Sequence, residues 1–254
     1  GISQQQGRWI VDLLRGQEGG RNEWCNYFEV DARPLGERKT WLQDDYVKFL
    51  RYAHWKIERA GCGIVGFVTN HGYLDNPTFR GVRQQLLGTF PRITVIDLHG
   101  NRKKREQSPD GRLDENVFRI EQGTAIGLLR RPPGEVVASQ RMHGELWGDA
   151  EQKLRTLEEA ARELGARDAG AKFNLQSMHP AGPNYFFVPR AGTPASEYGA
   201  APRLPDLMPV NVTAPVTARD GFVVAFTREE LLERLAEFRD LDVPDDEIRR
   251  RYFA

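Results

Sequence analysis

Two periodicities organise the chain. Over residues 44–60, Tyr46, Phe49, Leu50, Ala53, Ile57 and Ala60 recur at the i, i+3, i+4, i+7 spacing of an amphipathic helix, with Asp44 and Asp45 at its start and Gly61 at its end. Ile64-Val65-Gly66-Phe67-Val68-Thr69 is then almost continuously apolar, which predicts a central strand buried on both faces of a parallel sheet. Thr69, Asn70 and His71 fall where that strand ends. Open α/β sheets bind ligands beyond the carboxyl ends of their strands, so these residues mark a candidate site.

Phe79, Val82, Leu86, Leu87 and Phe90 predict a second helix, entered through Asn76-Pro77 as an N-cap and first helical residue. A strand follows over Ile93–Leu98. Asn116–Ile120 and Gly123–Arg130 read as a strand turning back into a central strand, and Arg131-Pro132-Pro133-Gly134 marks the end of the sheet. Beyond it, Leu154, Leu157, Ala161 and Leu164 line one face of a helix over 149–164. Tyr185–Val188 and Gly221–Phe226 are strand candidates, Thr227 with Glu230 forms a capping box, and a last helix over 245–253 carries Arg249-Arg250-Arg251.

Composition narrows the class of protein. The 254 residues are 39% hydrophobic and 28% charged, with 36 basic and 36 acidic side chains, so any contact with nucleic acid comes from a local patch and not from overall charge. No apolar run reaches the length of a membrane span and no secretory leader opens the chain, which predicts a cytoplasmic location. Cys25 and Cys62 have no CxxC partner, and the histidines at 54, 71, 99, 143 and 179 have no paired-ligand spacing. Neither a disulfide framework nor a metal site is expected, and Cys62 reads as a small core residue.

The stretches DDYVKFL, GIVGFVTN, HGYLDNPTFRGVRQQLL, ITVIDLHGN and DENVFRIEQGTAIGLLRR together resemble the second half of the catalytic domain of adenine-N6 DNA methyltransferases. Within that group the chain is most similar to the single-chain type I-like (type ISP) restriction-modification enzymes, closest over residues 40–131 and more loosely over 200–254. The resemblance implies an α/β fold: a partial Rossmann-like methyltransferase sheet (its later strands and helices) followed by a loop-rich α+β module. It divides the chain into a connecting segment at 1–43, the C-terminal half of a methyltransferase-like domain at 44–134, and a linker with a partial target-recognition-like module at 135–254. PVTARDGFVVAF resembles the start of that module.

The resemblance also implies chemistry. S-adenosylmethionine would be the methyl donor, double-stranded DNA the substrate, and the exocyclic amine of a flipped adenine the acceptor. Phe118, in NVF, occupies the position of the aromatic that stacks on the extruded base, although an aromatic before a strand also suits a core. Tyr46 and Phe49 lie on the helix matching one near the cofactor adenine, and their helical spacing equally suits a core stripe. Arg102, Lys103, Lys104 and Arg105 could contact phosphates or form a solvated loop. Neither the glycine-rich cofactor loop nor the Asn-Pro-Pro-Tyr loop occurs in these residues. The chain is therefore expected to be inactive alone, with an exposed apolar face and strand edge that an upstream methyltransferase half or self-association would cover. The rival readings are a non-catalytic module binding DNA or a partner, and an unrelated α/β enzyme built on Thr69, Asn70 and His71.

Overall fold

The computed structural model describes residues 4–36, 40–134, 138–162, 171–189, 201–202, 204–208 and 220–253. The chain folds as two compact units, Gly1–Thr193 and Pro194–Ala254. The first contains helix α1 (Gln4–Leu14) and two short hairpins, β1 (Gln17–Glu18) with β2 (Arg21–Asn22) and β3 (Glu29–Val30) with β4 (Arg33–Pro34). Helix α2 (Asp45–Ala60) leads into β5 (Gly63–Asn70), a single turn α3 (Gly72–Asp75), helix α4 (Arg80–Thr89) and β6 (Arg92–His99). Strands β7 (Thr124–Arg131) and β8 (Gln140–Glu145), helix α5 (Ala150–Arg162) and the short strand β9 (Gln176–Ser177) follow.

These strands form one five-stranded mixed sheet in the order β5-β7-β6-β8-β9. Strand β7 runs antiparallel to both β5 and β6, while β8 runs parallel to β6. The unit is α/β, with a core on each face of the sheet. On one face Val65, Ile93, Val95, Ala125 and Leu129 pack with Val47 and Leu50 of α2 and Val82 and Leu86 of α4. Burying each such side chain fully contributes about 1.5–3 kcal/mol, so this face anchors the unit. On the other, Ile96, Leu98 and Ala160 form a smaller cluster with Ile126 and Leu157.

Several sequence expectations hold. Helix α2 ends on Gly61, whose φ of 75° needs the left-handed conformation that glycine allows and whose N–H donates to Ile57 O. Asn76 Oδ1 accepts from Thr78 N–H at 3.0 Å ahead of Pro77, so the Asn-Pro pair is a cap. In the second unit, α6 (Leu204–Leu207) and α7 (Asp220–Val223) precede α8 (Arg228–Arg239) and α9 (Asp245–Tyr252). Thr227 Oγ1 accepts from Glu230 N–H at 3.2 Å, the expected cap of α8. Phe222 is buried there against Phe238, Tyr252 and Phe253.

Other expectations are corrected. Strand β5 is an edge strand paired antiparallel with β7, not a central parallel one. Its inward residues Val65 and Thr69 are buried, but Ile64 is 68% and Val68 48% exposed, and neighbouring Leu128 of β7 is 45% exposed. The apolar run is continuous because one face is core and the other is a bare apolar strip. Helix α2 buries Val47, Leu50, Arg51, His54 and Trp55, rotating the stripe away from Phe49, which is 63% exposed. Cys62 is half-buried.

The sheet continues past Arg131 into β8. Asn116–Ile120 is a turn and not a strand, because the Asn116 side chain satisfies the backbone locally. Helix α5 buries Lys153 and Ala160 while Leu154 is exposed, and Leu164 lies outside the described residues. Tyr185–Val188 is irregular with Phe187 buried in the main core. Residues 220–223 are helical, and 215–219 lie outside the described residues.

Candidate functional site at the carboxyl edge of the sheet

Strands β5 and β6 run parallel, so His71 and His99 emerge at the same end of the sheet. Between them sits Asp97, a carboxylate inside the apolar run of β6 that needs partners when buried. Asp97 Oδ1 accepts from His71 Nδ1 at 3.0 Å and from His99 backbone N–H at 2.9 Å. The pairing of β6 with β7 slips between Asp97 and His99, and His99 has a φ of 52°. Such a bulge re-aims a side chain, and left-handed backbone at a non-glycine residue stores strain at places where the surrounding structure holds it.

The His99 ring is buried and stacks on Trp147, with centroids 3.3 Å apart and planes 14° from parallel. Its Nδ1 stands 3.7 Å from Asp97 Oδ2 and its Nε2 3.7 Å from Glu145 Oε1, both beyond hydrogen-bond reach. His99 Nε2 and the Oγ1 of Thr124, its register partner on β7, are buried without hydrogen-bond partners. Burial lowers the pKa of His99 despite the carboxylates around it. At His71 burial opposes protonation too, but the hydrogen bond and charge of Asp97 overcome it and the pKa rises. For Asp97, burial acts upward, and the two histidines outweigh it to hold the carboxyl below its usual range.

The loop beyond β6 closes on the same edge. Asn101 Nδ2 lies 3.3 Å from His71 Nε2, Asn101 N–H donates to Glu106 Oε2 at 2.8 Å, and Lys104 N–H donates to Asn101 Oδ1 at 3.1 Å. The turn so formed exposes Arg102, Lys103, Lys104 and Arg105, with Lys103 paired to Glu121 at 3.2 Å. Asn116 Nδ2 donates to Gly100 O and Gln122 O, and its Oδ1 accepts from Phe118 N–H at 2.8 Å. Gly100 packs directly on the Asn116 backbone and Gly123 on the His71 ring, leaving no room for a Cβ at either. Phe118 projects from this pinned turn, 52% exposed, so it is not a core residue. Beneath it, buried Lys153 of α5 donates to Asp114 Oδ2, Leu98 O and Glu115 O at 2.6–2.7 Å, fixing the loop to the end of β6.

The fold therefore brings together Asn70, His71, Phe118 and the basic turn 102–105 on one sheet edge. Tyr46 is half-buried against Phe79 with ring centroids 6.1 Å apart, and Phe49 lies one turn further along α2 on the surface. Sequence reading missed Asp97, His99, Glu106, Asn116 and Trp147; the available signal was a carboxylate embedded in an apolar strand. A cavity of about 600 Å³ is lined by Arg15, Trp24, Phe28 and Pro34 and by none of the edge residues.

A second cluster lies apart from the edge. There His54 Nδ1 bonds the Tyr27 hydroxyl at 3.0 Å and its Nε2 the Thr89 hydroxyl at 2.7 Å. Arg51 donates to Glu58 Oε2 at 2.6 Å, and Glu58 Oε1 accepts from Cys25 N–H. Burial pushes the Cys25 thiol up to about 12 and His54 down to about 3.

The α/β fold is similar to part of a DNA-bound restriction-modification enzyme. The similar structure is the ATP-dependent Type ISP restriction-modification enzyme LlaBIII bound to DNA, at 21% identity and a TM-score of 0.54 over 78% of this chain and 12% of that one. DrdV in complex with DNA (23% identity, TM-score 0.49, 80% of this chain and 20% of that one) is also similar. So is a nuclease-deletion mutant of the Type ISP enzyme LlaGI with a DNA substrate mimic, at 20% identity and a TM-score of 0.47 over 59% of this chain and 12% of that one. The chain thus spans about an eighth of the length of LlaBIII. No family model and no curated protein matches the sequence. No helix among the described residues is long and apolar enough to cross a membrane.

Proposed function

We propose that this chain is the target-handling part of an S-adenosylmethionine-dependent adenine-N6 DNA methyltransferase of a restriction-modification system, in which β5, β7 and β6 are later strands of a Rossmann-like sheet. One observation carries the reading: Phe118 is held, half-exposed, in a turn pinned by Asn116 on the same edge as the exposed cations 102–105. A base extruded from a duplex must be held by stacking, and phosphate contacts set the register of the duplex. The sequence resemblance and the fold shared with part of LlaBIII support the same assignment.

The described residues do not by themselves fit the cofactor. Tyr46 packs on Phe79, Phe49 faces outward, and neither lines the cavity beside α1. We therefore assign S-adenosylmethionine to a site completed by an upstream methyltransferase half, which would add a strand to the free edge of β5 and cover Ile64, Val68 and Leu128. That bare strip equally favours the second reading, a binding module without catalysis whose partner is a protein.

Anisotropy titrations with a labelled duplex carrying one adenine opposite an abasic site, against the fully paired duplex, test the assignment. The chain is expected to prefer the destacked adenine, and F118A to lose about 1–3 kcal/mol of that binding. Replacing Arg102, Lys103, Lys104 and Arg105 by alanine should flatten the salt dependence by about 0.9 for each phosphate no longer neutralised. Equal binding of both duplexes by the wild type and F118A would overturn the stacking role, and a salt-independent affinity would favour the protein-binding module.

A further inference from the structure

We infer that His71, His99 and Glu106 form a binding site for one divalent transition-metal ion of the zinc class, which clamps the basic turn 101–106 to the sheet edge. One ring nitrogen of each histidine and one carboxylate oxygen of Glu106 lie within 4.8 Å of one another. Coordination at about 2.0–2.2 Å brings tetrahedral donors to about 3.4 Å, so binding would draw all three side chains together, the half-buried Glu106 and the two rings alike. Two imidazoles and a carboxylate with a position left open suit zinc, with cobalt and nickel as close substitutes.

Three features argue for an ion over an ordinary buried network. First, Asp97 stands behind His71 and accepts a hydrogen bond from its Nδ1 at 3.0 Å, while Nδ1 of His99, 3.7 Å away, lies beyond hydrogen-bond reach. A carboxylate behind a ligating histidine fixes its tautomer and raises its donor strength. With Nδ1–H committed to Asp97, His71 presents the Nε2 lone pair outward, met only by the long 3.3 Å approach of Asn101 that a metal would replace.

Second, the His99 ring makes no hydrogen bond although it is buried, and a buried polar group left unmatched calls for a missing partner. The bulge and positive φ that turn this ring into the cluster give the backbone N–H a bond to Asp97 and the ring its stack on Trp147, but leave both ring nitrogens without one. Third, carboxylates gather around His99 and favour positive charge there, against Lys104 beside His71. Asp97, Glu106 and Glu145 all act on His99, while Asp114 is already neutralised by Lys153 at 2.6 Å.

The consequence is mechanical. Glu106 accepts from Asn101 N–H and so closes the turn, whose remaining residues are the four exposed cations. An ion joining Glu106 to β5 and β6 through the two histidines would fix that turn. The readouts below involve metal alone, so their outcome is independent of whether the chain handles DNA.

The test is calorimetric titration of zinc into the untagged, chelator-stripped chain, paralleled by cobalt with visible absorption to report coordination. One equivalent should bind, with the intense bands of a low-coordinate nitrogen- and oxygen-ligated cobalt site. H71A and H99A should weaken binding more than tenfold, and D97N, which removes the carboxylate behind His71, by about 10–100-fold. C25S, in the other cluster, should bind like the wild type. E106Q alters a half-buried loop side chain and is expected to fold with a melting temperature that zinc no longer raises. Trypsin cleavage after residues 102–105 should slow on adding zinc to the wild type but not to H99A. No saturable equivalent, unchanged binding in H99A and E106Q, or loss of binding in C25S instead would each overturn the site.

Discussion

Among the described residues two clusters are built from the same kinds of side chain, and they differ in their histidines. The His54 ring is bonded through both nitrogens and the His99 ring through neither, although Arg51 Nη2 of the first cluster is also buried without a partner. In the cluster of Cys25, Tyr27, Arg51, His54, Glu58 and Thr89, both nitrogens of His54 are bonded and Glu58 meets both a guanidinium and a backbone N–H. In the cluster of His71, Asp97, His99 and Glu106, a buried ring has no hydrogen bond and the backbone is bent to present it. Three potential ligand atoms lie within 4.8 Å of one another in each. Proximity of ligand types thus does not define a site; the unspent bonding capacity does. The first cluster ties α2 to the preceding segment, whereas the second faces the edge where the loops converge.

The contrast predicts opposite mutational behaviour. The largest effect is expected for R51M. Arg51 is fully buried, donates to Leu13 O at 3.0 Å and neutralises Glu58, so removing it strands a carboxylate at about 3–5 kcal/mol, a large fraction of a domain's stability. Urea unfolding followed by circular dichroism measures it, and a loss below about 1 kcal/mol would mean that this cluster does not hold the fold. Next, H54A leaves the Tyr27 hydroxyl buried without a partner, costs the half-buried Thr89 hydroxyl its bond to the ring, and opens a cavity between Tyr27 and Phe90, for about 2–4 kcal/mol. H99A in chelator breaks no ring hydrogen bond and is expected to cost less than H54A: the stack on Trp147, about 0.5–1.5 kcal/mol, together with the packing of the buried ring. Equal losses in the two alanine variants would erase the distinction between the clusters.

Much of the fold was legible from local pattern, and the losses trace to long-range pairing. Helix α2, its glycine stop, the Asn76 cap and strands β6 and β7 follow from periodicity and capping chemistry within a dozen residues. Whether the run 64–69 is central or at an edge depends on which strand pairs with it, and its partner β7 lies some 60 residues on, so the same apolar string served either case. The stripe of α2 was misplaced because aromatics were counted as core and Arg51 as surface. Yet Arg51 and Glu58 are seven residues apart on one helical face, a spacing that hinted at a buried pair. The edge cluster joins His71, Asp97 and Glu106 from three separate segments, which spacing rules for metal ligands cannot see. The four basic residues and Phe118 were identified as candidates, but not their shared dependence on Asn101 and Asn116.

The smallest effect sharpens the comparison through pH. His54 stays neutral in the fold, its pKa lowered by burial from the ordinary 6.5 to about 3. Between those values the unfolded chain binds a proton that the native state refuses, so this group's contribution to stability is complete above pH 6.5 and is lost as pH falls toward 3. Each such proton tilts stability by about 1.4 kcal/mol per pH unit. Glu58, held below its usual range of 4.5, adds loss of the same sign only at lower pH, so a window between pH 5 and 6 isolates the histidine. Unfolding free energies of the wild type and H54Q measured across that window should diverge in slope by close to that value, the variant being the flatter. Parallel lines would mean that His54 takes up its proton in the native state, and the fully bonded histidine would then be as open to titration as the edge it is contrasted with.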